Sequence, residues 1–407
     1  MSADNELTIL LTLKDRPLFT FRWMSYANSI NFPFKVLIAD GGADETVPKV
    51  LSNKANFPNV TYEYIRYPYD QTYAEYYTKV VDALSCIQTP FVAIADNDDF
   101  FIVNGLREAI QFLSSHPEYI TCGGQCAFFW VTSSKMNERE GLLYGKRIEW
   151  KCSCDAQSMT AETARERIRN QSLSAADPSY YHVKRTEELR RQFQILLDLN
   201  LKDLFLVEYV ISFLTAIAGK TKRLETLYIA RQHNSPGSSG IAHEEKFGDW
   251  LGRMLVQSWS DDFTKFVSIT AAALAKTDGI PFDEARDWVI KSYRMFVTPA
   301  LLSNILEEPT VRMSMSFVVS IVRRLVQLPH DSMIRKIAQK LYRHARWISF
   351  DAVYGTEFLA RPVSNSVQEF KPIYEFLTRT SGSVRTGKQV EDGLHSVLRQ
   401  GMDRVRP

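Results

Sequence analysis

Four short apolar runs, each followed by a polar turn and then by a segment with helical spacing, constrain the fold of this chain more than any other feature. The runs lie at residues 7–13, 34–39, 60–65 and 91–95. Helices are predicted after them at residues 18–31, 46–53, 72–85 and 104–113. Strands that alternate with helices in this way predict an α/β fold with a doubly wound, mostly parallel sheet.

The pattern changes after about residue 240. Before that point the sequence predicts strands at 120–131 and 223–230, helices at 189–199 and 204–218, and a polar insertion at 133–178 with a helix near 161–170. From residue 243 onward helical spacing dominates, at 250–259, 263–275, 282–296 and 315–327. We therefore expect an α/β domain at 1–240, which ends in a flexible loop at 234–240, and a mainly helical domain at 241–407.

The amino-acid composition argues against some classes of protein but does not identify a single one. Of 407 residues, 45% are hydrophobic and 24% charged, which is typical of a globular protein, and the net charge of +2 does not indicate nucleic-acid binding. No apolar run approaches the roughly 18 residues of a membrane span, and the N-terminus shows no secretory signal. Five cysteines do not suggest a disulfide scaffold, so a reducing cytoplasm is the expected location.

Four of the cysteines lie close together in the sequence, at Cys122, Cys126, Cys152 and Cys154. Their spacing matches the common zinc motifs poorly. We interpret them as small, partly buried residues rather than as metal ligands.

The acidic stretch Asp96-Asn97-Asp98-Asp99 follows directly on the apolar run at 91–95. Three carboxylates at the end of a buried strand repel one another and lose hydration, so a bound cation is the usual reason to keep them there. Oxygen ligands suit Mg²⁺ or Mn²⁺, which often bridge carboxylates to phosphates. We expect Asp98 to bind the metal, Asp96 to hold a ribose hydroxyl or assist through water, and Asp99 to orient either. A solvated acidic turn is the alternative.

Two further polar turns follow predicted strands, Asp15-Arg16-Pro17 after the first and Asp40-Gly41-Gly42 after the second. Ligands of open α/β sheets bind beyond the carboxyl ends of the strands, so we expect these turns and the acidic stretch to meet at one edge. Asp40 could accept a hydrogen bond from a base or ribose, Gly41 could let a ligand approach the backbone, and Arg16 could reach a phosphate. Taken singly, each motif also fits an ordinary turn.

Gly123 and Gly124 lie in the strand predicted at 120–131. They could let a sugar ring approach, or they could mark a bulge. His182 could line an acceptor pocket, although structural packing is the simpler interpretation.

Glu208 is the candidate general base. It lies in LFLVEYVISFLTAIAG, a segment that is apolar almost all round. A buried glutamate is costly unless it is paired, and burial raises its pKa, as suits a general base. Pairing with an arginine or lysine is the structural alternative, and Asp203 is the other candidate carboxylate.

Arg231 and His233 follow the strand predicted at 223–230. His233 could be a third metal ligand, and Arg231 could face a diphosphate. A histidine in a loop is more often simply solvated. Farther on, a basic amphipathic face could lie on an anionic membrane, with a partner interface or a solvated face as the alternatives. It comprises Arg323, Arg324, Arg335, Lys336, Lys340, Arg343 and Arg346.

With these motifs in order, residues 6–235 resemble a GT-A glycosyltransferase, similar to glycosyltransferase family 2. The resemblance rests on Lys14-Asp15-Arg16-Pro17, Asp40-Gly41-Gly42-Ala43-Asp44, Asp96-Asn97-Asp98-Asp99, Gly123-Gly124, Glu208 and His233. The family more often has Asp-Asp-Gly-Ser where this chain has Ala39-Asp40-Gly41-Gly42, and Glu-Asp where it has Val207-Glu208-Tyr209. The helical part beyond about residue 245 falls outside the resemblance.

The resemblance implies a Rossmann-like GT-A fold and a nucleotide-sugar donor held by Mn²⁺ or Mg²⁺. The implied metal ligands are Asp96, Asp98 and His233. The implied donor-binding residues are Arg16, Asp40, Gly41, Asp96, Asp98, Gly123, Gly124 and Arg231. Glu208, or else Asp203, would deprotonate a hydroxyl of a glycan or lipid-linked glycan, with inversion at the sugar.

Two other functions stay open at this point. A sugar nucleotidyltransferase would share the sheet and the acidic site, but the first turn, Lys14-Asp15-Arg16-Pro17, lacks the glycine-rich phosphate loop of that class. A catalytically inactive nucleotide-sugar-binding protein is the non-enzyme alternative. The helical region could contact the acceptor, the inner face of a membrane or a second copy of the chain.

Overall fold

The structure, a computed structural model, describes residues 3–132, 143–145, 147–153, 157–173, 179–233, 235, 243, 245–248, 250–306 and 365–378. Within these residues the strands are β1 (Leu7–Leu13), β2 (Lys35–Asp40), β3 (Tyr62–Arg66), β4 (Phe91–Ala95), β5 (Phe100–Phe101), β6 (Tyr119–Thr132), β7 (Arg147–Ser153), β8 (Val183–Arg185) and β9 (Lys220–Gln232).

The helices of the same described ranges are α1 (Pro17–Ser29), α2 (Thr46–Leu51), α3 (Tyr73–Cys86), α4 (Val103–Ser115), α5 (Ala164–Leu173), α6 (Thr186–Leu199), α7 (Leu204–Ala218), α8 (Trp250–Met254), α9 (Gln257–Asp278), α10 (Phe282–Leu306) and α11 (Ser366–Thr378). Local signals set several of their ends. Pro17 begins α1, where its missing N–H costs nothing, and Thr72 with Glu75 forms a capping box before α3.

The strands form one mixed sheet in the order β3-β2-β1-β4-β8-β6-β9-β5, with β7 paired to β6. Strands β1 to β4 are parallel. Strand β8 is antiparallel to both β4 and β6, so β6 and its parallel partner β9 run in the same direction as β1 to β4. The prediction of an α/β fold with a mostly parallel sheet is therefore confirmed.

Helices cover both faces of the sheet because alternate strand residues point to opposite sides. Ile9 and Leu11 pack with α1 and α4 on one face, whereas Leu10 packs with α3, α6 and α7 on the other. The carboxyl ends of β1, β2 and β4 thus lie at one edge, where the three predicted polar turns begin.

Helices α9 and α10 extend the second of these layers. In the core of this layer Phe213 of α7 meets Phe266 of α9 at 5.3 Å between ring centroids, and Tyr209 meets Tyr293 of α10 at 5.6 Å. A helical C-terminal region is therefore present. The proposed boundary between residues 240 and 241 stays a prediction, and helices α8, α9 and α10 beyond it share a core with α7.

Helix α11 packs on the other end of the sheet. Its Phe370 stacks on Trp150 of β7 at 4.4 Å, and its Glu369 accepts a hydrogen bond of 3.0 Å from the backbone N–H of Leu227 in β9. A segment from the far end of the sequence therefore completes the surface of β7 and β9.

Several elements differ from the sequence prediction. Strands β5 and β8, of two and three residues, and strand β7 were not predicted, because pairing with distant strands rather than apolar periodicity makes them strands. The helix predicted at 250–259 is broken between α8 and α9. Cys154, the loop at 234–240 (apart from Ser235) and the basic segment at 315–346 lie outside the described residues. Among the helices that are described, none combines the length and apolar character needed to cross a membrane.

Candidate active site

The acidic stretch forms the turn between β4 and β5. Asp96, Asp98 and Asp99 each place a carboxylate oxygen within 4.8 Å of the others. The backbone N–H of Asp99 donates to the carbonyl of Asp96 at 3.4 Å, which closes the turn. Three carboxylates this close repel one another, so the surrounding residues must supply positive charge.

Arg16 supplies positive charge to Asp98, which is only 7% exposed. Arg16 lies 3.0 Å from Oδ2 of Asp98, and the hydroxyl of Ser235 donates to the same oxygen. The fully buried Arg22 donates to the backbone carbonyl of Asp98 at 3.1 Å. Burial acts to raise the pKa of Asp98, but Arg16, Ser235 and Arg231 together lower it below its usual value. Asp98 is therefore held as a carboxylate.

Arg231 pairs with Asp99. Its Nε donates to Oδ2 of Asp99 at 2.7 Å, and the backbone N–H of Gln232 donates to Oδ1 at 3.1 Å. Burial raises the pKa of Asp99 to about 7. Repulsion from Asp98 and Asp96 contributes to this increase, and the charge of Arg231 offsets only part of it. Arg231 therefore compensates only part of the cost of burying Asp99 beside two other carboxylates.

Tyr181 connects Arg231 to the third carboxylate. Its hydroxyl donates to Oδ2 of Asp96 at 2.6 Å and accepts from Arg231 at 3.1 Å. Burial, with repulsion from Asp98, raises the pKa of Asp96. Asp96 has no arginine of its own in this arrangement, so it is the carboxylate that would gain most from an added cation.

The donor set fits Mg²⁺ or Mn²⁺. It consists of hard carboxylate oxygens in a group small enough to share one ion, and the guanidinium of Arg16 already places a cation on one of them. His233 lies outside this group, with its ring stacked on Trp130 at 5.1 Å and its backbone N–H bonded to Phe129. The third member of the group that could hold a metal is Asp99, and the assignment of His233 as a ligand stays a prediction.

Asp40 ends β2 beside this group and is almost fully buried. Its Oδ1 accepts the backbone N–H of Gly42 at 2.8 Å. Its Oδ2 accepts the hydroxyl of Tyr64 at 2.7 Å and a guanidinium N–H of Arg66 at 2.5 Å. Strand β3 thus contributes two residues that the sequence analysis did not single out, and they hold the carboxylate of Asp40 in place at the edge of the sheet.

The glycines that were predicted to let a ligand approach lie against other parts of the protein. A Cβ at Gly41 would lie 2.5 Å from the carboxylate of Asp70, which forms a buried ion pair with Lys79. Lys79 also donates to the carbonyl of Leu13 at 2.8 Å. Gly41 therefore lets the ends of β1 and β2 close around this ion pair.

Gly123 and Gly124 also face protein. A Cβ at Gly123 would come within 2.3 Å of the imidazole of His182, and one at Gly124 within 2.4 Å of the carbonyl of Thr226. The pairing of β6 with β9 shifts register between Gly123 and Gln125, as in a bulge. An imidazole takes the space that we had assigned to a sugar ring. Burial lowers the pKa of His182 to about 3, so the ring is neutral.

The two candidate bases lie at the start of α7 in different surroundings. Glu208 is exposed, so the prediction that it is buried is wrong. The pKa of its carboxyl group is nevertheless raised to about 7, because nearby protein atoms displace water from it. Arg231 opposes this increase and Asp96 adds to it, so Glu208 lies within electrostatic reach of the acidic group.

Asp203 instead caps α7. Its Oδ1 accepts the backbone N–H of Leu206 at 3.0 Å, and its carboxylate contacts His243 at 3.3 Å and Arg253 at 3.4 Å. Burial acts to raise the pKa of Asp203, but the hydrogen bonds from His243 and Leu206 and the charge of Arg253 lower it below its usual value. Its lone pairs are occupied by structural partners.

Sequence reasoning also missed Arg22 and Tyr181, two further residues of this site. Arg22 joins α1 to Asp98 and donates to the side chain of Gln232 at 2.7 Å; its pKa falls to about 10 through burial. Tyr181 bridges Asp96 and Arg231. Arg22 is the only charged residue in the mostly apolar run from Phe19 to Met24, and this is the one local signal that marks it. Nothing in the nearby sequence distinguishes Tyr181 from its neighbour Tyr180.

The cysteine interpretation is consistent with the described part of the chain, where Cys122, Cys126 and Cys152 are buried. Burial raises the pKa of Cys122 and Cys126 to about 12, so both are neutral thiols. The metal-ligand group found in these residues contains no cysteine.

No protein-family model matches the sequence, and no curated protein sequence matches it. Among solved structures, S. aureus TarS has a TM-score of 0.44 and 11% identity over 85% of this chain and 54% of that chain, so this chain spans about half of its length. S. aureus TarS 1-349 in complex with UDP-GlcNAc has a TM-score of 0.44 and 12% identity over 84% and 92% of the two chains. The mannosyltransferase PcManGT from Pyrobaculum calidifontis, in complex with GDP-Man and Mn²⁺, has a TM-score of 0.38 and 10% identity over 86% and 88%.

Proposed function

We propose that this chain is a metal-dependent glycosyltransferase, which moves a sugar from a nucleoside diphosphate sugar to a hydroxyl group. The observation that carries the proposal is the group of Asp96, Asp98 and Asp99 with Arg16 and Arg231 at the carboxyl edge of parallel strands. A group of closely spaced carboxylates next to guanidinium groups suits a divalent cation bound together with a diphosphate. The motif order of the GT-A glycosyltransferases supports the same assignment.

The nucleoside is proposed to lie against Asp40, at the end of β2. Tyr64 and Arg66 hold this carboxylate in place, so a base or ribose can donate to it without reorganising the site. Gly41 and Gly42 contribute by letting the strand ends approach closely. Asp40 and the two residues that hold it lie on the same edge of the sheet as Asp98.

The diphosphate is proposed to lie between Arg16, Arg231 and a metal held by Asp96, Asp98 and Asp99. A bound Mg²⁺ or Mn²⁺ would stabilise the negative charge that develops on the departing diphosphate. Arg16 and Arg231 would bind its oxygens and orient it. His233, which the resemblance assigned to the metal, has no place in this proposal.

Glu208 is proposed as the general base. Its raised pKa matches a group that takes up a proton near neutral pH, whereas Asp203 is occupied by its cap and ion pair. As the acceptor oxygen bonds to the anomeric carbon, the bond from that carbon to the diphosphate oxygen breaks and the acceptor proton passes to Glu208. A single displacement of this kind inverts the anomeric centre.

The acceptor is proposed to be a hydroxyl of a glycan or of a lipid-linked glycan. A carboxylate base suits a hydroxyl acceptor, and the open side of Glu208 leaves room for one to approach. A cytoplasmic location, with peripheral contact at the inner face of a membrane through residues 315–346, is proposed from the sequence alone.

Calorimetric titration of the full chain with UDP, GDP, CDP and ADP, each with and without Mn²⁺, tests the proposal. We expect one diphosphate to bind selectively and only with metal, and we expect Asp98→Ala to abolish this binding. Asp262→Ala is a suitable control for loss of a buried aspartate, because Asp262 caps the backbone at Lys202 and Asp203 instead. If no diphosphate binds under either condition, the proposal fails.

A further inference from the structure

Arg16 occupies the carboxylate that the proposed metal would need. Its guanidinium lies 3.0 Å from Oδ2 of Asp98 and stacks on the ring of Phe19 at 4.2 Å. Asp98 also receives the hydroxyl of Ser235 on this same oxygen. Nε of Arg16 is buried, and within the described residues it has no hydrogen-bond partner. The arginine thus contributes its charge without satisfying all of its own donors.

The backbone holds Arg16 in this place. Asp15 and Arg16 have φ angles of 57° and 56°, in the left-handed region that side chains other than glycine rarely adopt. The carboxylate of Asp15 accepts the backbone N–H of Ala43 at 3.0 Å, and the amide of Asn97 donates to the carbonyl of Arg16 at 3.3 Å. The turn therefore holds the backbone of Arg16 where its side chain can reach Asp98.

A divalent cation and Arg16 compete for this position. Like charges within a few ångströms repel strongly where little water screens them, and Asp98 is buried. With Arg16 in place, a metal ion would share an oxygen that already serves two donors. A nucleoside diphosphate changes this balance, because its oxygens offer the guanidinium another partner.

We propose that Arg16 is a resident cation that is exchanged for the metal, so that metal and diphosphate bind as a pair and neither binds well alone. The inference rests on the metal and diphosphate site of the proposed function. When the donor arrives, Arg16 leaves Asp98 for a diphosphate oxygen and the metal takes its place on the carboxylate. Each ligand then removes an obstacle to the other, which is a positive coupling between them.

Direct measurement of Mn²⁺ binding, by the electron paramagnetic resonance signal of free Mn²⁺, tests the exchange without any transfer reaction. We expect wild-type protein to bind Mn²⁺ alone weakly, and Arg16→Gln to bind it at least about tenfold more tightly, because the variant removes the competing charge. We also expect added UDP or GDP, whichever binds, to strengthen Mn²⁺ binding much less in Arg16→Gln than in wild type. The gain should vanish in Arg16→Gln combined with Asp98→Asn.

Two controls separate exchange from other effects. Arg107→Gln removes an arginine that pairs with Asp4 at the amino edge of the sheet, so it reports the change in net charge alone. Ser235→Ala removes the other donor to Oδ2 of Asp98 without removing charge. Neither should reproduce the gain. Arg16→Lys keeps the charge at the same turn, so it should bind Mn²⁺ alone as weakly as wild type.

If Arg16→Gln binds Mn²⁺ alone no more tightly than wild type does, the proposed exchange is wrong. This holds even if the wild-type protein binds a diphosphate with metal and transfers sugar. A gain of the same size in Arg16→Lys or Arg107→Gln overturns it as well. Failure of the proposed function has a different signature, in which wild type binds none of the four nucleoside diphosphates. In that case the pairing of metal and diphosphate fails with it, and the titration of Arg16→Gln with Mn²⁺ alone tests only whether Arg16 and the metal compete for Asp98.

Discussion

Two buried acidic regions of this molecule have opposite charge balances. At the end of β4, three carboxylates share two arginine ion pairs, and the pKa of Asp99 rises to about 7. At the start of α7, the single carboxylate of Asp203 has a helix N–H, His243 and Arg253, and its pKa falls. A satisfied buried carboxylate stabilises the fold, whereas an unsatisfied group of them is free to bind a ligand. Both regions are buried and acidic, so these two properties alone would not distinguish the structural carboxylate from the candidate binding site.

The largest test of this comparison uses the two candidate bases. Because general base catalysis typically contributes a factor of 10²–10⁴, we expect Glu208→Gln to lower kcat by about 10³-fold. Donor affinity should stay near that of wild type, since the proposed donor contacts lie on other residues. Steady-state kinetics and calorimetry measure the two quantities.

Asp203→Asn is the matched variant, because it changes the other carboxylate at the start of α7 in the same way. Normal turnover in Glu208→Gln together with loss of turnover in Asp203→Asn would move the base to Asp203. The comparison between a structural and a functional carboxylate would then be reversed.

The second test concerns stability. Asp203→Ala leaves Arg253 and His243 without their buried partner and removes the cap of α7, so we expect the free energy of unfolding to fall by about 3 kcal/mol. Denaturant unfolding followed by circular dichroism measures it. Glu187→Gln, which breaks an exposed ion pair with Arg190, should have little effect. A stable Asp203→Ala protein would show that this cluster is not a structural one.

The third test asks whether Gly123 serves packing or a ligand. A methyl group there would clash with the imidazole of His182, so we expect Gly123→Ala to cost about 2 kcal/mol of stability and to leave donor affinity unchanged. The cost should shrink in a His182→Ala background, as in a double-mutant cycle of two residues in contact. Weaker donor binding with unchanged stability would instead restore the role that the sequence suggested.

The smallest test is the pH dependence of turnover. Glu208 must be deprotonated to accept a proton, and its pKa is raised to about 7. We therefore expect kcat to fall about tenfold per unit below pH 7 and to level off above it. Asp99 titrates in the same range, so the profile must be recorded at saturating Mn²⁺ and donor. A flat profile between pH 5.5 and pH 8 would contradict the assignment of Glu208.

The parallel half of the sheet could be predicted because its information is local. The apolar runs at 7–13 and 91–95 coincide with β1 and β4, and helix α7 has the bounds that its periodicity indicates. The acidic triad was visible for the same reason, since its three members are almost adjacent in sequence. Hydrophobic periodicity and the closeness of residues along the chain are properties that can be read directly from a single sequence.

The rest of the site depends on contacts that the sequence does not display. Tyr181 meets Asp96 across 85 positions, and Ser235 meets Asp98 across 137. His233 was assigned to the metal from its position after a strand, but β9 continues to Gln232 and turns its Arg231 and Gln232 toward Asp99 while His233 stacks on Trp130. Which side chain at the end of a strand faces the ligand depends on strand length, and strand ends are what sequence patterns fix least well.

The position of α11 has a consequence for how the protein is made. This helix covers β7 and β9, yet it lies far beyond them in the sequence, so a ribosome must add well over a hundred residues before the cover exists. At typical rates of synthesis this takes on the order of ten seconds. During that interval the faces of β7 and β9 that will hold Phe370 remain available to chaperones and to the same surfaces of neighbouring nascent chains. Yield in cells should therefore respond to chaperone supply more strongly than the stability of the finished fold would suggest.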